Sequence, residues 1–332
     1  MPRMITAPNF PLLKYLDTLV EDLRKLIPPA LKGQDVDVVH DARVATRRLK
    51  AATQLLDSVV SARCRKPFDR VTRRLRRQLG PLRDLDVMLQ HLGKVRDAKS
   101  KAAVDWLKNR LSECRAAAVA AAQKQAPAPR MLARLGSWWG LRQEIAEARD
   151  AIEYLLAESV HLQLDAFAEQ AASLGKNDPH AWRIAGKSLR YTLEMAKAHG
   201  LPLPREVTTL FKRIQDALGL WHDYVVLSER MLCEIVDSDL ALHHPQLAEQ
   251  ILSLSQSNLR KARTQLSKAA EWWKPRSGQL CEGIRRAFPL TRIVVEAPPV
   301  EQRKTTAAES IQLEKLSEPP ASPPLPTDAP AA

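Results

Sequence analysis

Residues 40 to 50 read HDARVATRRLK, and 140 positions later residues 180 to 190 read HAWRIAGKSLR. His40, Arg43, Val44, Ala45, Arg47, Leu49 and Lys50 thus return as His180, Arg183, Ile184, Ala185, Lys187, Leu189 and Arg190. A second block returns at an offset of 139: Leu79, Gly80, Asp84 and Val87 become Leu218, Gly219, Asp223 and Val226, while Arg73 and Arg74 become Lys212 and Arg213. Two separate blocks repeating at nearly one spacing indicate an internal duplication. The fold must therefore be one that two copies of a single plan can build.

The repeated plan reads as helix. Alanine, leucine and arginine are abundant, aromatics and glycine are few, and no period-two run of Val, Ile and Thr lasts for a strand's length. Residues 10–27 step in threes and fours and stop at Pro28-Pro29; a second helix spans about 37–60. A third follows Pro67 and is expected to bend or end at Gly80-Pro81 before the period resumes. Alanine-rich residues 98–125 complete the first half, 10–125, and residues 126–146 form the joint. The second half, 147–290, opens with a helix over 150–174. It continues with a motif helix capped by Asp178-Pro179, a helix over 205–218 and its continuation, a long helix over 244–273 and a short one over 278–288. The fold class is all-α, in two related halves. Residues 297–332, with eight prolines and few large apolar residues, make a disordered tail.

Charge narrows the partner. Fifty-one Lys and Arg against 38 Asp and Glu leave a formal charge of +13, and residues 40–77 alone hold twelve Lys or Arg against three Asp. Such clustering creates a local field suited to a polyanion: nucleic acid, an inorganic phosphate chain or an anionic surface. The four cysteines stand far apart without metal-ligand spacing and read as core thiols in a reducing compartment. No stretch of about 18 apolar residues occurs, so neither export nor membrane insertion is expected, and the location is taken as cytoplasmic.

At about 100° per residue, His40, Arg43, Arg47 and Lys50 fall within about 80° of one another, with Ala45, Leu49, Ala52 and Leu56 opposite. A solvated helix face normally interleaves glutamates with its lysines, yet the only acid between His40 and Gln54 is Asp41, off the ladder. Arginine's planar fork engages phosphate oxygens in pairs. A pseudo-twofold arrangement would bring the two ladders face to face around one groove. His180, second in its helix, is placed where backbone N–H groups favour an anion. Arg70, Arg73, Arg74 and Arg77 form a further basic face, weaker in the second copy, where Asp216 and Gln215 replace Arg77 and Arg76. Asp84 and Asp223 are read as partners that orient arginines.

On these motifs, H-x-x-R-[VI]-A-x-[RK]-x-L-[KR] at 40–50 and 180–190 and the two L-G-x-x-x-D segments, the chain resembles the CHAD family, the conserved histidine α-helical domains, over about residues 10–290. The resemblance implies two pseudo-symmetric four-helix bundles whose basic faces line a central channel, and inorganic polyphosphate as ligand. Carried over by position, the binding residues are His40, Arg43, Arg47, Lys50, Arg73, Arg74 and Arg77, then His180, Arg183, Lys187, Arg190, Lys212 and Arg213. Ser188, opposite Arg48, and Gly186 inside the motif depart from the pattern and put the second half's affinity in doubt. The E-x-E-x-K signature of the CYTH triphosphatase module that often accompanies such domains is absent.

The expected function is therefore non-catalytic binding of polyphosphate, with residence on polyphosphate granules as the corollary. Single-stranded nucleic acid stands second, because no aromatic interleaves the first ladder and only Trp182 and Tyr191 sit in the second. A metal phosphohydrolase, invited by His40-Asp41 and His222-Asp223, stands third for want of further ligands. No cofactor, metal or catalytic residue is assigned, and the sequence leaves the oligomeric state open. The Trp138-Trp139 and Trp272-Trp273 pairs are read as plugs at bundle ends.

Overall fold

The computed structural model describes residues 10–174 and 178–290; the tail read over 297–332 lies outside them. Twelve α-helices account for almost all of this, with no strand among the described residues: α1 Pro11–Lys32, α2 Val36–Leu55, α3 Ala62–Leu92, α4 Lys101–Gln125, α5 Ala128–Leu135, α6 Trp138–Glu147, α7 Ile152–Ala172, α8 Pro179–His199, α9 Arg205–Asp237, α10 Leu240–His243, α11 Pro245–Trp273 and α12 Ser277–Ala287. No helix among the described residues is long and apolar enough to cross a membrane.

Three breaks expected from sequence do not occur. α1 runs through Pro28-Pro29 to Lys32, because its last turn buries Ala30 and Leu31; Gly33 ends it at φ 66° and donates its N–H to the Pro29 and Ala30 carbonyls. α3 runs through Gly80-Pro81 for 31 residues. Pro81 is exposed, so water can meet the Arg77 carbonyl that lacks its donor. α9 likewise runs unbroken past Gly219 for 33 residues. The second helix, conversely, ends at Leu55, five residues short of the expected limit. Residues 126–147 carry two short helices, α5 and α6, packed on α1 and α3.

Two apolar clusters hold the molecule together. The larger gathers α1, α2, α7 and α8 with α5, α6 and α12, with α3 as far as Leu82 and with α9 as far as Leu218. The smaller joins the far ends of α3 and α9 to α4, α10 and α11. Each long helix of the α3/α9 pair thus crosses from one core to the other. Within the larger core the motif seam is buried as its period requires: Ala45, Leu49, Ala52 and Leu56 on α2, and Leu189 with Trp182 on α8. Trp138 and Trp273 are also buried, but Trp139 is 66% exposed, so only half of that pair serves as a plug. The cysteines are not core thiols. Cys64, Cys114 and Cys281 are half-buried and Cys233 is exposed, since each falls at the edge of its helix's apolar stripe.

The smaller core also encloses charge. Glu234, fully buried, accepts from Arg110 Nε at 3.1 Å and from Arg230; Asp86 accepts from Arg115 Nε at 2.5 Å. These pairs tie α4 to α3 and α9, and removing one member would leave the other charge buried alone.

Gly186 and Gly219 have opposite reasons to be glycine. A Cβ on Gly186 would strike the Gln215 amide and come within 2.9 Å of the Phe167 ring, whereas one on Gly219 would meet nothing within 4 Å. Gly186→Ala should therefore lose about 1–3 kcal/mol of stability in urea unfolding, and Gly219→Ala should gain up to about 1 kcal/mol from helix propensity.

Candidate functional site

α2 packs against both α3 and α8, and α8 against α9, so the two motif helices lie side by side with α3 and α9 flanking them. Their ladders converge. The charge of Arg183 on α8 is felt by Arg43 and Arg47 on α2, by Asp84 on α3 and by Asp223 on α9; Lys187 faces Arg183, Arg47, Arg43 and Asp223. Three arginines and a lysine thus share a partly desolvated space with two carboxylates.

Arg43 reaches Asp84 at 3.3 Å, N to O, and does so across Gly80: a Cβ there would lie 3.0 Å from its guanidinium. That passage explains the glycine four residues before the aspartate in the first copy. Asp84 holds Arg43 in place, as expected of a positioning partner. Asp223 instead lies 3.8 Å from His91 Nε2 and acts on Arg183 through space. Arg183 is 8% exposed, and its Nε has no hydrogen-bond partner among the described residues. It is a buried cation without a direct counterion, a costly arrangement that an anion would relieve.

Burial acts on the protonation of these groups. Desolvation, reinforced by Arg183 and Arg47, pushes the Lys187 amine down to about 6, and Arg183 falls to about 10 while remaining charged at neutral pH. Desolvation with Arg183 beside it pushes His222 down to about 4. The His222 ring lies against His180, centroids 5.1 Å apart. Burial and Arg83 also lower His40. Lys50 and Arg76 are both lowered, chiefly by burial; Arg76 and Arg73 act on Lys50, and Arg47 and Arg73 on Arg76, so this group extends the cluster along α2 and α3.

Other residues read from the sequence are used differently. Arg74 donates from Nε to the Gln125 carbonyl at 2.8 Å, closing the end of α4. Arg190 pairs with Glu194 at 3.2 Å and lies over Tyr191, so it is already engaged. Arg77, Lys212 and Arg213 are exposed. His40 sits in the second turn of α2. The N–H of His180 is already taken by the Asp178 carboxylate at 2.9 Å, so that helix end offers one donor fewer to an anion than expected. Sequence reasoning passed over Arg76, Arg83 and His222 as members of the cluster. The seven-residue spacing of Arg76 and Arg83, two turns along α3, was the available signal.

No group of three or more His, Cys, Asp or Glu placed to hold a metal is found among the described residues. The arrangement can do one thing plainly: collect negative charge and give up desolvated cations to it. The Lys187 side chain offers a direct check, since its ε-carbon resonance should titrate with a midpoint near pH 6. Asp223→Asn, which removes a neighbouring charge that favours the ammonium, should move that midpoint lower still.

The CHAD domain family model matches residues 14–232. Among solved structures, the crystal structure of the CHAD domain from the plant Ricinus communis is similar at a TM-score of 0.59 and 23% identity, covering 84% of this chain and 96% of that one. No curated protein matches the sequence. With a family model spanning well over half of its length and the same all-helical fold, the chain belongs to the CHAD domain family.

Proposed function

We propose that this protein binds inorganic polyphosphate and does not cleave it, gripping the chain in a basic trough between the two copies of a duplicated helical unit. The observation that carries this reading is the convergence of Arg43, Arg47, Arg183 and Lys187 on one space faced by only two carboxylates. CHAD domains are in general associated with polyphosphate binding, which agrees with the chemistry of that space. Lys50, Arg73 and Arg76 continue the positive surface and would meet further phosphates. A polymer with one charge per phosphate satisfies several such cations at once and releases their counterions.

Single-stranded nucleic acid is a poorer occupant. The two aromatics of the second ladder are unavailable for stacking, Trp182 being fully buried and Tyr191 nearly so. Residence on polyphosphate granules, and in the cytoplasm, would follow from the binding and belongs to the same proposal.

Titration of the chain with polyphosphate of defined length should show log K falling linearly with log salt. The Arg43→Ala, Arg47→Ala, Arg183→Ala variant should lose at least about a hundredfold in affinity, from three charge-assisted contacts. Equal affinity in a folded variant would overturn the assignment, as would displacement of polyphosphate by an equal charge of single-stranded oligonucleotide.

Binding should also take up protons. In the free protein Lys187 is protonated only below about pH 6, and a bound polyanion raises that value. Affinity therefore rises as pH falls from 8.5 towards 6 and levels off below, where the amine is already charged. One linked proton gives up to about tenfold per pH unit. Lys187→Met should flatten the dependence, read as proton uptake by titration calorimetry in buffers of different ionisation enthalpy.

A further inference from the structure

The cationic cluster opens on one side into a cleft of about 640 Å³ between α2, α7 and α8. That is within the ordinary range for a small-molecule site. Its basic wall is Arg47, Lys50, Arg76 and Lys187, and Glu158 is the one acid among its described lining residues. The same helices add an aliphatic stretch of wall: Leu55 on α2, Leu155 and Leu162 on α7 and Ile184 on α8. Leu162 is 66% exposed and Ile184 47%, so apolar surface stands in water beside four basic side chains. A polyphosphate chain has no use for that wall.

The motif alignment shows why this cleft is open. Arg48 on α2 pairs with Glu194 on α8 at 2.7 Å. By the motif alignment the positions equivalent to Arg48 and Glu194 are Ser188 on α8 and Gln54 on α2, and both line the cleft. Where one side of the α2–α8 contact is spanned by an ion pair, the equivalent positions leave short or neutral side chains and an unfilled space. The departure at Ser188 thus shapes a pocket.

We propose that this cleft binds a phosphomonoester carrying a single aliphatic chain, with the phosphate against Arg47, Lys50, Arg76 and Lys187 and the chain along Leu55, Leu155, Leu162 and Ile184. Four aliphatic side chains against one aromatic, the nearly buried Tyr191, favour hydrocarbon over a nucleobase, and four basic side chains against one carboxylate favour a phosphate as the head group. The proposal goes beyond polyphosphate binding and does not require it, although the two ligands would share Arg47, Lys50, Arg76 and Lys187.

The test is calorimetric titration of the full chain with methyl, hexyl and decyl phosphate, below the concentration at which decyl phosphate aggregates. Affinity should rise about two- to fourfold per added methylene; no rise with chain length overturns the proposal. The Ser188→Arg, Gln54→Glu double variant rebuilds the ion pair. It should abolish the chain-length gain while holding long-chain polyphosphate affinity within about threefold, and a gain that survives in this variant also overturns the proposal. Should that variant not fold, Leu162→Ser at an exposed position should weaken decyl phosphate about tenfold and leave methyl phosphate unchanged; unchanged decyl affinity sinks the idea. A chain-length gain in a protein that ignores polyphosphate would defeat the earlier reading and leave this one standing.

Discussion

Everything at the basic centre depends on the packing of α2 against α8. Each helix buries an aliphatic seam, Ala45 and Leu49 on one and Leu189 on the other, and the burial of those seams in one core holds the opposite faces close. Arginine and lysine side chains on helices brought together in this way cannot all escape to water. Their mutual repulsion and desolvation are offset by the apolar core beneath them and in small part by Asp84 and Asp223. The cluster is thus held in a state that favours an anion, at the expense of stability that the core supplies.

The consequence is a site whose charge is conditional. Arg43 and Arg183 remain cationic, but Lys187 and His222 are pushed towards neutrality by burial and by the arginines. A bound polyanion reverses that balance, so ligand and proton would enter together. The two copies contribute unequally. Arg43 is anchored to Asp84 across Gly80, whereas Arg183 is buried without a direct partner. Gln215 occupies the place of Arg76 and packs against Gly186, which moves the positive surface towards the first copy.

Much of this was legible beforehand because helical period is a local property. The ladder His40, Arg43, Arg47, Lys50 and the seam opposite it follow from spacing alone, and Asp178 caps α8 as its sequence requires. The breaks were misread for the same local reason: Pro28-Pro29 and Pro81 do cost hydrogen bonds, but buried Ala30 and Leu31 carry α1 onward and solvent exposure makes Pro81 tolerable. Arg74 and Arg190 looked like ligands because their type and spacing fit. Their engagement with Gln125 and Glu194 is set by elements 51 residues away in one case and by a neighbouring turn in the other.

The sequence by itself determined the helical class, the paired motif and the chain's own excess of positive charge, since these follow from composition and periodicity along a single helix. Which cations share a space, which are already paired and where an apolar wall meets them were decided only by the tertiary structure. Desolvation and Coulomb coupling depend on distances between helices, and one helix's residue order does not contain those distances.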